Sequence, residues 1–188
     1  TATLAPPTTI TGTLSVTTQN CTPNSGVLSV LNVSGGEGRN YSYQLMKDGA
    51  LQGGAQTSTQ FTGLGAGTYR VIISDTWGCT ASATQSVTLY DPIETNNIGA
   101  VITKQVTCDA VNPGATVSVT LQGGSNSLRY TLTNNAGGTP QISNTGVFTN
   151  VPAGVYKVSI ADLITGCATV TSANVDVTDA TTVSFTYT

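Results

Sequence analysis

Histidine is absent from this 188-residue sequence and charge is scarce, with 6 Lys plus Arg and 9 Asp plus Glu making 8% of the chain. The first absence removes the commonest general base and metal ligand. The second, roughly a third of the usual charged fraction, excludes a self-repelling disordered chain, because hydrophobic residues still reach 38% and mean hydropathy is +0.08. A net charge of −3 and a pI near 4.5 leave no basic footprint for nucleic acid, so none is expected as a partner. The sequence has no apolar run long enough for a membrane span and no charged segment leading into a short apolar stretch. Neither membrane insertion by this segment nor a signal peptide is therefore expected. One Met and one Trp stand against abundant Thr, Ser, Val and Gly, which suit half-buried strands joined by glycine turns and disfavour helices.

Four cysteines are present, Cys21, Cys79, Cys108 and Cys167. None forms a CxxC pair, so a zinc site would need an unusual arrangement, and disulfides are the better reading. Four cysteines allow three connectivities. The spacing from Cys21 to Cys79 nearly equals that from Cys108 to Cys167, which suggests one bridge inside each of two similar units. Each such loop would contribute about 4 kcal/mol in the chain-entropy picture and would imply an oxidising, extracytoplasmic setting.

An internal repeat supports two units. Shifting the chain against itself by 87 or 88 positions aligns Cys21 with Cys108, Gly35 and Gly36 with Gly123 and Gly124, and Tyr43 with Tyr130. It also aligns Phe61 with Phe148, Tyr69 with Tyr156, Asp75 with Asp162, and Cys79 with Cys167. The expected organisation is a first domain over 1–90, a linker over 91–98 around Pro92, a second domain over 99–179, and the start of a further linker or repeat over 180–188. The chain reads as an excerpt of a longer array.

Alternating apolar residues predict strands near 12–20, 26–34, 40–47, 58–63, 68–75 and 83–90, with counterparts about 87 residues on. In the second strand, Val27, Ser29, Leu31 and Val33 are expected to share one face. The segments FTGLGAGTYRVIISD from Phe61 and FTNVPAGVYKVSIAD from Phe148 are similar to the tyrosine-corner region of immunoglobulin-like sandwiches, with Tyr69 and Tyr156 as the corner residues. The fold class is thus all-β, two tandem immunoglobulin-like β-sandwiches, each with one intradomain disulfide. Four strands would separate the loop holding Cys21 from that holding Cys79, which puts both cysteines at one end of the sandwich. That parity requires residues 48–57, DGALQGGAQT, to form no regular strand.

The order Cys, Gly-Gly, Y-x-Y, L-x-x-G-x-Y-x-V-x-x-x-D and a closing G-C resembles the SprB-type repeat of repetitive cell-surface adhesins of gliding Bacteroidota. The resemblance spans residues 9–179 and includes Gly35, Gly36, Gly67, Tyr69, Asp75, Gly78 and Cys79. It implies a structural and adhesive segment of a large exported bacterial surface protein that takes part in attachment and gliding. Its partners would be neighbouring repeats of the same chain, and polysaccharide or abiotic surfaces. The sequence departs from the usual repeat at Trp77 and at residues 163–165.

Other candidates divide by their chemistry. Asp75 and Asp162 lack the alternating oxygen donors of a calcium loop and are expected to cap the turn before each second cysteine. Asp91, Glu94 and Asp179 near the linkers are the candidate calcium ligands, with no cofactor otherwise implied. Trp77 could stack on a sugar or partner, or pack on its own surroundings. Lys104 and Asn174 resemble an isopeptide pair in type, although a solvent-facing Lys is the ordinary role. With no His, no G-x-S-x-G elbow and both cysteine pairs oxidised, no catalytic centre is expected. The runner-up function is a non-catalytic carbohydrate- or ligand-binding module attached to a secreted enzyme.

Overall fold

The β-branched, glycine-punctuated sequence folds into strands throughout, and the computed structural model describes residues 8–37, 40–83 and 85–180. Among these the only helical turn is a 3-10 segment, Thr95–Asn97. The chain divides into two units, Thr1–Pro92 and Ile93–Thr188. The expected start of a further repeat over 180–188 lies, beyond Ala180, outside the described residues.

Unit 1 contains β1 (Thr11–Thr18), β2 (Gly26–Ser34), β3 (Ser42–Lys47), β4 (Ala50–Gln56), β5 (Gln60–Leu64), β6 (Gly67–Ser74), β7 (Thr80–Ser82) and β8 (Val87–Leu89). One sheet has the order β1-β2-β5; the other runs β4-β3-β6-β7, with β8 also on β6. Leu14, Leu28, Val30 and Phe61 from the first sheet meet Tyr43, Leu45, Tyr69, Val71, Ile73 and Leu89 from the second. In β6 the buried Tyr69, Val71 and Ile73 alternate with exposed or half-buried neighbours, the period of two that a half-covered pleat demands.

Unit 2 contains β9 (Ile98–Lys104), β10 (Ala115–Leu121), β11 (Leu128–Asn134), β12 (Gln141–Ser143), β13 (Val147–Val151), β14 (Gly154–Asp162), β15 (Val170–Thr171) and β16 (Val175–Val177). Its sheets are β13-β10-β9 and β12-β11-β14-β15, with β16 on β14. The order repeats that of unit 1 strand for strand. Ala115, Val117, Phe148 and Val151 pack with Leu132, Tyr156, Val158, Ile160, Val175 and Val177. Both units are immunoglobulin-like β-sandwiches of antiparallel strands.

Three expectations are corrected. In β2 the inward residues are Leu28 and Val30, while Leu31 is 46% exposed. Asn32 takes a left-handed φ of +53°, and the pairing with β1 shifts by one between Thr11↔Ser34 and Thr13↔Leu31. A bulge of this kind re-aims the side chains that follow, so Val33, beyond Asn32, packs on the same core as Leu28 and Val30 and does not share a face with Leu31.

Second, residues 48–57 are not a loop, because β4 pairs with β3. Asp48 and Gly49 both have positive φ, +50° and +85°, between the paired Lys47 and Ala50. Asp-Gly suits the tight hairpin turn that needs positive φ at both central residues. All of β4 except Gln56 is exposed, so backbone pairing builds it without any apolar alternation in the sequence.

Third, that strand overturns the intradomain disulfides. Five strands, β2 to β6, separate the Cys21 loop from the Cys79 loop, and an odd number puts them at opposite ends of unit 1. Asn20 Nδ2 donates to Tyr90 O at 3.0 Å, which fixes Cys21 at the end where the chain leaves. Gly36 N donates to Thr8 O and Glu37 N to Asp75 Oδ2, which fixes Cys79 at the end where the chain enters. The eight residues of β6 span roughly 26 Å at the usual rise per residue, whereas bridged Cα atoms lie within about 7 Å. Unit 2 has the same parity, with Cys108 before β10 and Cys167 after β14. Cys21 and Cys167 are disulfide-bonded and Cys79 and Cys108 are free thiols.

Candidate functional site

Where β6 ends, the chain must reverse within a few residues to start β7, and Asp75 holds that turn. Its Oδ1 accepts the backbone N–H of Trp77 and of Cys79, each at 2.9 Å, and its Oδ2 accepts Glu37 N–H at 2.9 Å. Gly36, with φ +74°, lies so close that an added Cβ would stand 2.7 Å from Oδ2. That proximity explains a glycine there: the carboxylate reaches across to the neighbouring loop only if no side chain intervenes. The buried Asp75 thus ties two loops of one end together.

Asp162 performs the same task in unit 2. Its Oδ1 accepts from Ser125 Oγ at 2.7 Å and from Ile164 N and Thr165 N at 3.0 Å, while Oδ2 accepts Ser125 N at 2.7 Å. Burial pushes this carboxyl up, but the Ser125 hydroxyl and the backbone N–H groups of Thr165, Ser125 and Ile164 together outweigh it. The group is held below the usual carboxylate range.

The loop tips beyond these aspartates are apolar and exposed. Trp77 is 77% exposed and lines, with Glu37, a shallow hollow of about 270 Å³. At the matching tip of unit 2, Leu163 and Ile164 are both exposed. The sequence marks both tips, Trp77 and residues 163–165, as departures from the usual repeat; the structure adds their shared feature, an apolar side chain at a turn held by a buried aspartate.

Cys79 sits half-buried beside Asp75. Burial raises its thiol pKa, and the Asp75 carboxylate, which accepts its hydrogen bond, and Glu37 push the same way. A free thiol here departs from the expectation of one bridge in each unit. The Asp48–Gly49 pair, read as a hairpin signal, is the feature of the sequence that reveals the extra strand and with it the opposite parity.

The remaining candidates fall apart spatially or serve the scaffold. Tyr69 Oη donates to Gly65 O at 2.8 Å and Tyr156 Oη to Pro152 O at 3.0 Å, each from a buried ring four residues on. Lys47 Nζ stands 5.8 Å from the Tyr69 ring centroid. Lys104 Nζ donates to Asn112 O at 2.6 Å, whereas Asn174 Oδ1 accepts from Asn135, so the two have separate partners. In unit 2, Glu94 precedes the 3-10 turn before β9 and its carbonyl accepts from Asn97 N, while Asp179 follows β16 and accepts from Ala180 N, which places them at opposite ends. Asp91 is an exposed residue of unit 1. Among the described residues, no three His, Cys, Asp or Glu gather closely enough to hold a metal, and no helix is long and apolar enough to cross a membrane.

No protein-family description matches the sequence, and no curated protein matches it. Among solved structures, the three N-terminal domains of the bacteriophage RB49 highly immunogenic outer capsid protein align over 88% of this chain and 58% of theirs, at 16% identity and a TM-score of 0.37. Murine CEACAM1b aligns over 92% of this chain and all of its own, at 12% identity and 0.41. A tetra-tandem repeat from the extending region of a large adhesion protein aligns over 93% of this chain and 50% of its own, at 17% identity and 0.35.

Proposed function

We propose that this chain is a structural and adhesive segment of a large bacterial surface adhesin, two consecutive repeats of an array that works outside the cell in surface attachment and gliding. One observation carries the reading: two units built from the same strands in the same order follow each other directly in the chain. Such units extend a filament by repetition, each holding its own core. Few charges are available to the outer faces, which present hydroxyl and amide groups suited to polysaccharide or abiotic surfaces. The disulfide accords with an extracellular site of action, and the resemblance to SprB-type repeats supplies the link to gliding. The segment acts without catalysis and without a cofactor.

The test is adhesion itself. Beads coated with the purified chain are expected to resist detachment by flow from agar or glass more strongly than beads coated with an unrelated sandwich domain, and antibodies to it to label intact cells. Equal detachment together with unlabelled cells would refute the reading. Trp77 supports the second one, a carbohydrate-binding module, because an indole exposed to 77% beside a shallow hollow is a stacking platform. Saturable binding on a glycan array, lost in Trp77→Ala, would decide for that module.

A further inference from the structure

We propose that the hollow where β9 begins and β10 ends, within unit 2, is a binding site for a neutral sugar unit of a polysaccharide. The inference deepens the attachment to polysaccharide proposed above and rests on it.

The hollow is built at the first rungs of a sheet edge. β9 is the outer strand of the sheet β13-β10-β9, and it opens with the pairs Ile98↔Leu121 and Gly99↔Thr120. Gln122 N donates to Asn97 O, which carries the contact one residue further before the 3-10 turn Thr95–Asn97 ends the edge. Asn96, Asn97, Thr120 and Gln122, together with the half-buried Ile98 and Leu121, line a space of about 490 Å³, within the usual range for small-molecule sites. An added Cβ at Gly99 would collide with Thr120 Oγ1, so glycine at that position leaves the hydroxyl in place.

The lining is polar without being charged. Among the described residues no protein group takes the side-chain amides of Asn96, Asn97 and Gln122 or the Thr120 hydroxyl. Amides elsewhere serve the scaffold: Asn20 is spent on Tyr90 O, Asn134 on Ala136 N and Asn150 on Gly114 N. Each amide offers both donors and an acceptor, which matches a sugar hydroxyl that donates and accepts in turn. Ile98 and Leu121 suit the C–H face of a pyranose ring. Lys104, the one charged residue in β9, β10 and β13, stands at the far end of β9 with its Nζ on Asn112 O. A charged ligand would therefore lose hydration in the hollow without meeting a counter-charge. A peptide added as a strand along β9 would run into the 3-10 turn, so that partner does not fit.

The other repeat points to the same residues. With the 87- or 88-residue shift, Asn96, Asn97 and Gln122 align with Thr9, Ile10 and Ser34. Ile10 is buried in the core of unit 1, and the Ser34 hydroxyl pairs with that of Thr11. Gly12, the counterpart of Gly99, lies against Ile73 of that core. Unit 1 spends these positions on its own packing, whereas unit 2 builds the same sandwich and leaves them free for a ligand.

The experiment titrates the intact two-repeat chain with neutral oligosaccharides of agarose, dextran and mannan, and with charged ones of alginate and chitosan. Nuclear magnetic resonance follows the side-chain amide signals of Asn96, Asn97 and Gln122, and calorimetry gives the affinity. At least one neutral oligosaccharide is expected to shift those three signals saturably, and the charged ones to leave them in place. The double variant Asn96→Ala, Gln122→Ala, which removes two hydrogen-bonding groups from the hollow, is expected to bind that oligosaccharide about tenfold more weakly. Silence of the three signals with every neutral oligosaccharide, equal response to charged ones, shifts confined to the surroundings of Trp77, or undiminished affinity in the double variant would overturn the proposal. The signals are read on the unmodified chain, so the site is tested even if the variant folds poorly. Beads that adhere while the hollow stays silent refute this site alone. Sugar binding in the hollow by beads that detach as readily as the control refutes the adhesive function alone.

Discussion

Asp75 and Asp162 show how much one carboxylate can organise when it is surrounded by backbone donors. Their spacing before the second cysteine suggests a turn-capping role, and the hydrogen bonds assign each oxygen a partner. What the sequence does not reveal is the reach to the other loop, since Glu37 and Ser125 lie 38 and 37 residues away. Only the sheet topology brings them there. Asp162 has a folded-state pKa below its unfolded value, so its contribution to stability is present above the unfolded value of about 4 and is lost as pH falls through the lower folded one. Asp162→Asn is accordingly expected to destabilise the chain by about 2 kcal/mol at neutral pH and to flatten the loss of stability in acid. Chemical denaturation of both proteins between about pH 7 and pH 2 checks this.

At the scale of elements, strands with an apolar face are legible in the sequence and a strand without one is not. Residues Tyr69, Val71 and Ile73 announce β6 because one side of that strand must be covered by the opposite sheet. In β4, neither side is covered, so selection of apolar residues at every second position has no physical cause. Its formation depends on the Asp48–Gly49 turn and on the edge that β3 offers it. Gly49 has φ +85°, a region that a β-branched side chain strongly disfavours. Gly49→Val is expected to destabilise unit 1 by about 1–2 kcal/mol and to increase amide exchange in β4 and the facing edge of β3, while β1 and β2 keep their protection. Residue-resolved hydrogen exchange distinguishes this local loosening from a general loss of fold. The left-handed Asn32 makes the same point in β2, where a local bulge, invisible to a count of alternating residues, splits the expected face by putting Val33 on the core side and leaving Leu31 outside.

For the whole molecule, the consequence of one added strand is topological. Were each unit stapled by its own bridge, reduction would remove about 4 kcal/mol from each. Neither unit contains a bonded pair of its own cysteines, and each sandwich is held by its apolar core. Thiol reductant at neutral pH is therefore expected to leave both units folded, with near-native far-ultraviolet circular dichroism and a cooperative thermal transition; collapse of either unit on reduction would contradict it. By itself the sequence determined the strand-rich class, the twofold repetition and most inward residues, because composition and periodicity follow directly from burying one face of a pleat. The tertiary structure alone decided which cysteines are bonded and which are free. Those outcomes depend on the parity of strands and on contacts between residues far apart in the chain, and spacing along a sequence carries no record of which end of a sandwich a loop occupies.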